Sequence, residues 1–209
     1  MIRRLIEYLA PPPIQSRATL QRFVGGEASS LAQRATFEFT RNALGYYGQT
    51  AFHDDPFVDA FRLCRWESFA AILADMVVLT EGLLRPHGAA LGVPSLADAL
   101  APLFDAALGE YPPPAHRADG WADEAANLRE RLARATLAAP PGAGDVARVS
   151  ARRVFEVLPV YSHNRDVDRL TIENAVRFGM IAFHDRMRAR LRPRLVLEEL
   201  LGGRPARTA

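Results

Sequence analysis

Apolar side chains recur along this chain three and four residues apart, the period that gathers them on one face of an α-helix. Ala28, Leu31, Ala32, Ala35, Phe39, Ala43 and Tyr46 form one such face. Ile172, Val176, Met180, Phe183, Met187 and Leu191 form a longer one near the other end. Residues 119–138 predict a surface helix, with Leu128, Leu132 and Ala135 inward and Arg129, Glu130, Arg131 and Arg134 outward. The stretch 56–84 is different. It starts amphipathic, with Phe57, Phe61 and Cys64 along one side, and becomes apolar nearly all round. Such a helix needs neighbours on several sides, which predicts the centre of a bundle.

Proline and glycine divide these helices. Residues 11–13 are three prolines, 112–114 three more, and Pro140-Pro141-Gly142 closes another element. Asp54-Asp55-Pro56 is a helix start: an acid fit to cap the first turn, then proline where its missing N–H costs nothing. Residues 86–94, with Pro86, Gly88, Gly92 and Pro94, predict the end of that helix, and Ser95-Leu96-Ala97-Asp98 is close to a capping box. Gly25-Gly26 before Ser29-Ser30 predicts either a helix break with a serine cap or close packing on small residues. Residues 154–161 are β-branched and aromatic, but no second strand is present to pair with them, so they are read as a helix end running into Pro159. The expected fold is all-α: a single-domain bundle of about six or seven helices around a buried central helix, about 56–84. Residues 1–13 are expected to be an N-terminal turn and Pro-rich linker, 14–201 the bundle, and 202–209 a flexible basic tail.

Composition narrows the classes. Among 209 residues, 26 basic side chains face 24 acids, a net charge of +2, which by itself implies no nucleic-acid partner. Every basic residue is arginine, and alanine is abundant, as codon bias in a GC-rich bacterial genome produces. A single cysteine, Cys64, excludes an internal disulfide framework and a multi-thiolate zinc site. Its place between Leu63 and Arg65 on the inward side of a helix reads as a small buried hydrophobe. Residues 1–10 carry two early arginines, but the apolar run is short, holds Glu7 and stops at proline, so a secretory signal is not expected. The most apolar stretch, 69–79, has Asp75 in its middle and Glu81 beyond, so no membrane span is expected. The expected location is the cytoplasm.

Several clusters carry candidate chemistry. His53, Asp54, Asp55 and Asp59 include a D-D-x-x-x-D spacing, and aspartates four apart share a helix face. The motif resembles the acidic motif of isoprenoid-diphosphate synthases, also all-α, and the resemblance implies Mg²⁺ held against a diphosphate. The same residues also suffice as helix caps favouring the dipole. His53-Asp54 and His184-Asp185 are the His-Asp pair of HD-type metal phosphohydrolases, with further ligands of that family missing. No Glu-x-x-His occurs, which argues against a bundle di-iron site.

Glu67, Asp75 and Glu81 lie on the apolar central helix and must be paired or protonated there, arginine being the ready partner. Glu67 and Glu81 fall near one face and Asp75 elsewhere. Arg186, Arg188, Arg190, Arg192 and Arg194 contribute to a local +4 beyond residue 184, which leaves −2 for the rest. Their alternate spacing spreads them over two sides of a helix, so a solvated helix end is the simpler reading and nucleic-acid contact the alternative. The polar run Asn164-Arg165-Asp166-Val167-Asp168-Arg169 opens the last long helix, and with Tyr161, Ser162 and His163 it forms the densest hydrogen-bonding stretch. With Asp75 and Glu67, residues Tyr161, His163, Asn164 and Arg165 are the expected ligand or partner surface.

No complete catalytic set is present. The expectation is a non-enzymatic helical accessory protein, without cofactor: an adaptor, assembly chaperone or apolar-ligand binder with a protein or apolar small-molecule partner, forming a homodimer. The alternatives are a Mg-dependent enzyme using Asp54, Asp55 and Asp59 on a phosphorylated or diphosphate substrate, and nucleic-acid binding through the arginine-rich helix.

Overall fold

The computed structural model describes residues 11–161 and 164–202. Seven helices of eight residues or more account for most of them: α1 (Arg17–Gln33), α2 (Asp55–Ala90), α3 (Ala97–Gly109), α4 (Ala122–Ala135), α5 (Ala143–Val157), α6 (Arg165–Arg190) and α7 (Pro193–Leu200). Among the described residues there is no strand, and residues 154–161 are, as expected, the end of a helix and the turn after it.

The central helix is where the apolar pattern places it. From Phe61 to Leu84 most of α2 is buried, and it packs against each of the other six helices. Asp54 caps it by accepting from the N–H of Phe57 at 3.2 Å. Its far end is longer than predicted: Pro86 sits inside the helix, which stops only at Ala90 before Gly92 turns with φ +74°. Pro86 is on the exposed side, while Leu84 and Gly88 are buried. A Cβ on Gly88 would come within 3.2 Å of Leu96, so this last turn is held by close contact despite the lost hydrogen bond.

Helix α1 begins at a capping box, with Ser16 and Thr19 bonding each other's backbone N–H, and runs without a break through Gly25-Gly26. The expected serine cap therefore does not form, and Gly25 instead lies 3.5 Å, at the Cβ position, from Ala107. The helix continues through a π-helical turn, Arg34–Glu38, and a further turn, Phe39–Leu44, ending at Gly45 with φ +51°. The predicted α1 face is buried through Ala35, but Tyr46 at its end is 92% exposed, because the extra π residue and the turn at Gly45 carry it off the stripe. A Cβ on Gly179 would fall 2.3 Å from Leu31, so α6 can lie against α1 only through glycine.

The remaining caps are simpler than predicted. Ser95 makes one long contact, 3.4 Å, to the N–H of Ala97, and α3 has no reciprocal cap. Asn164 accepts from the N–H groups of Asp166 and Val167 and starts α6. Ile14 forms an isolated parallel bridge to Leu191, with Ile14 N–H donating to Arg190 and Arg192 N–H to Ile14. The described part of the N-terminal linker is thus tied to the α6–α7 junction. Residues 1–10 and 203–209, in the expected N-terminal turn and tail, lie outside the described residues. No helix among the described residues is long and apolar enough to cross a membrane.

Candidate functional site

Two sets of arginines organise the polar chemistry, and they differ in whether their charge is already used. The first runs along α2. Glu67, 3% exposed, accepts from Arg117 Nε at 2.7 Å and Nη2 at 3.0 Å, from Arg153 Nη2 at 2.6 Å, and faces His116 Nε2 at 3.2 Å. Asp75 is fully buried and is met by Arg131 of α4 and by the backbone N–H of Ser150 in α5 at 3.0 Å. Glu81 holds Arg85, whose Nη1 reaches the carbonyl of Ala138 at 2.6 Å. Glu67 and Glu81 lie about 40° apart around the α2 axis and Asp75 about 80° to the other side of Glu67, so Asp75 meets α4 and the middle of α5 while Glu67 meets the turn before α4 and the later part of α5. Arg131, expected outside, reaches inward because its long stem spans from the edge of α4 to the buried carboxylate.

Burial alone would raise Glu67, but the hydrogen bonds from Arg117 and Arg153 outweigh it and hold the carboxyl below its ordinary value. At Asp75 burial wins, and its carboxyl is raised despite Arg131 and Ser150. Burial also pushes the Cys64 thiol up to about 12, so it stays protonated and unreactive. Both oxygens of Glu67 and both of Asp75 are engaged. This column ties helices together and leaves no free base.

The second set lines a groove of about 770 Å³ between α5 and α6. The two helices run antiparallel, with Gly144 against Arg177 at one end and Phe155 against Arg165 at the other. Arg148 and Arg152 stand on the α5 wall, and Arg165, Arg169 and Arg177 at four- and eight-residue steps on the α6 wall. The floor is small: Gly144, Ala147 and Ala151. At Gly144 a Cβ would lie 2.7 Å from Arg177 Nε, so this end is open to the guanidinium only because the residue is glycine. Glu156 and Glu173 also line the groove, against five arginines.

Part of the expected surface lies here. Arg165 stacks over Tyr161 at 4.4 Å and Phe155 at 5.4 Å and lines the groove; Tyr161 donates its hydroxyl to the carbonyl of Phe155 at 3.1 Å; Asn164 caps α6. His163 lies outside the described residues. Glu67 and Asp75 belong to the buried column and not to this groove. Arg169, within the polar stretch that opens α6, also lines the groove; Arg148, Arg152 and Arg177 were not anticipated. The signal was present as arginine at i, i+4 steps on two successive helices.

The other candidates take structural roles. His53, Asp54, Asp55 and Asp59 are exposed and do not converge: Asp54 turns back as the cap, and Asp59 pairs with Arg62 at 2.9 Å. Among the described residues no three His, Cys, Asp or Glu gather to hold a metal ion. The arginine run near the end is divided by the break at Leu191 and largely engaged. Arg186 pairs with Glu27, Arg190 stacks on Phe23 and bonds the Pro12 carbonyl, and Arg194 pairs with Glu198.

No protein family, curated protein or solved structure matches the chain.

Proposed function

We propose that this is a non-enzymatic accessory protein, an adaptor whose α5–α6 groove docks an acidic segment of a partner protein. The observation that carries this reading is the contrast in arginine pairing. The buried acids of α2 are each matched by arginine, whereas Arg165 and Arg177 in the groove have no carboxylate partner among the described residues. Arg148, Arg152 and Arg169 have only exposed partners one turn away on their own helices, pairs that contribute little and exchange readily. Guanidinium groups present a planar fork that fits carboxylates bidentately.

The groove extends about 18 Å along α5, enough for about three turns of a docked helix, roughly twelve residues, or an extended segment of about half that many residues. Glu156 and Glu173 interrupt the positive charge, which disfavours a continuous phosphate backbone and suits discrete carboxylates. Val149 and Leu170, half exposed beside the arginines, supply an apolar rim of the kind protein interfaces use.

The test is fluorescence anisotropy with a labelled acidic amphipathic peptide of about sixteen residues, beside a thymidine oligonucleotide of equal charge. The peptide is expected to bind, to weaken with salt, and to lose roughly tenfold in affinity with Arg165→Glu/Arg177→Glu. Binding unchanged by that double substitution, or tighter binding of the oligonucleotide, overturns the reading. With it go a cytoplasmic setting, which a single buried reduced cysteine suits, and a homodimer. The support for pairing is the exposed aromatic turn at Tyr46 and Tyr47, and sedimentation velocity reads it.

A further inference from the structure

A separate cleft lies on the opposite flank of the central helix, between α1, the early turns of α2 and the end of α3. Its inner wall is aromatic. Trp66 meets Tyr111 nearly edge-on, with centroids 5.7 Å apart and planes 72° apart, and meets Phe69 at 6.1 Å and 64°. Rings set at such angles make a corner in which a flat third ring stacks on one neighbour while presenting its edge to the other. The cavity is about 280 Å³, near the lower bound of small-molecule sites, and continues along α1 past Gly25, Gly26 and Ser30.

Along α1 the cleft passes Gly25 and Gly26, which the helix carries without a break at some cost in helix stability, and nothing lies within 4 Å of where a Cβ on Gly26 would be.

The charged residues of the aromatic lobe are arginines, whereas the continuation along α1 also carries Glu110. Arg62 and Arg65 stand at its mouth, and no acid shares the aromatic lobe. Arg62 is paired with Asp59 in full solvent, while Arg65 has no carboxylate partner among the described residues. Ser29 and Gln33 on the α1 side add hydroxyl and amide groups that make no hydrogen bond among the described residues. A flat ring fits the aromatic corner, and one negative charge toward Arg65 fits the guanidinium there.

We propose that the α1–α2–α3 cleft is a binding site for a small planar aromatic carboxylate, seated against Trp66 and Tyr111 and held by Arg65. This site is independent of the α5–α6 groove and shares no residue with it.

The test is calorimetric titration of the full chain with 2-naphthoate, with neutral 2-naphthamide and aliphatic hexanoate as controls. Naphthoate is expected to bind, with the amide and hexanoate each weaker by about tenfold or more, one for the lost charge and one for the lost ring. Arg65→Gln is expected to reduce naphthoate affinity to that of the amide while leaving amide binding as it is. Ser29→Phe, at an exposed helical position where folding is not at stake, fills the lobe and removes binding of both ring ligands. Absence of naphthoate binding to the wild-type chain, equal binding of hexanoate, or wild-type affinity in either variant overturns the proposal. None of these results bears on the acidic-peptide titration, so the two sites stand or fall separately.

Discussion

Arg152 and Arg153 are neighbours on α5, and they belong to opposite kinds of region. Arg153 points to α2 and meets buried Glu67 at 2.6 Å; Arg152 points outward over the groove and meets only exposed Glu156 on its own helix. The core column and the groove use the same residue type on the same helix. What differs is the water around them. Removing a charge from water is costly unless it is paired, so the interior selects for arginines whose partners are in place. At the surface a guanidinium is stable alone, so it stays available to a ligand. The comparison teaches that in an arginine-only protein the functional signal is the state of pairing, not the presence of arginine.

The sharpest way to break this comparison is to strand a core charge. Arg131→Met leaves Asp75 fully buried without its cation and is expected to cost about 3–5 kcal/mol in urea denaturation. The double variant Asp75→Leu/Arg131→Met removes both charges and is expected to recover at least half of that loss. A double variant no more stable than the single would mean that the pair itself, and not the stranded charge, holds α4 in place.

Glu67 comes next. Its carboxyl is held below the ordinary value of 4.5, so the stability it supplies is fully present at neutral pH. That stability is lost as pH falls below 4.5 and through the lowered value. Glu67→Gln is expected to destabilise by roughly 3 kcal/mol at pH 7 and by much less at pH 3, flattening the acid limb of a melting-temperature profile. A parallel downward displacement at all pH values would assign the acid limb to other carboxylates.

A smaller effect sits at one of two buried polar atoms without a hydrogen bond among the described residues, Thr40 Oγ1 and Arg153 Nε. Thr40 is fully buried on the α1 extension, and its hydroxyl makes no hydrogen bond among the described residues. Thr40→Val keeps the shape and removes the unmet group, so a gain of about 1 kcal/mol is expected by chemical denaturation.

The smallest effects belong to the groove. Arg169→Glu and Arg177→Glu are each expected to change stability by no more than about 0.5 kcal/mol, since their side chains lie at the surface. A loss as large as that of Arg131→Met would place these arginines with the structural set and erase the distinction between the two regions.

Much of the architecture was legible from the chain. The all-round apolar character of 61–84 predicted the centre of the bundle, and Asp54 before Pro56 predicted its start, because both are local properties. The end of that helix was legible only to within the stretch 86–94. Pro86 signals a stop locally, but the contact of Gly88 with Leu96 across the following turn keeps the helix going, and that contact is tertiary. The candidate site was legible only at one end. Tyr161, Asn164, Arg165 and Arg169 lie in the polar stretch read from the sequence, whereas Arg148, Arg152 and Arg177 join them in a groove only once α5 and α6 lie antiparallel. In the sequence, the dense run at 186–194 outweighs the sparser four-residue spacing of the groove arginines. Pairing with Glu27 and Glu198 and stacking on Phe23 then engaged much of that run.

The backbone clasp between Ile14 and Leu191 brings two positions 177 residues apart in the chain within hydrogen-bond reach, with Ile14 only 1% exposed. It closes the intervening polypeptide into a loop whose entry and exit emerge side by side.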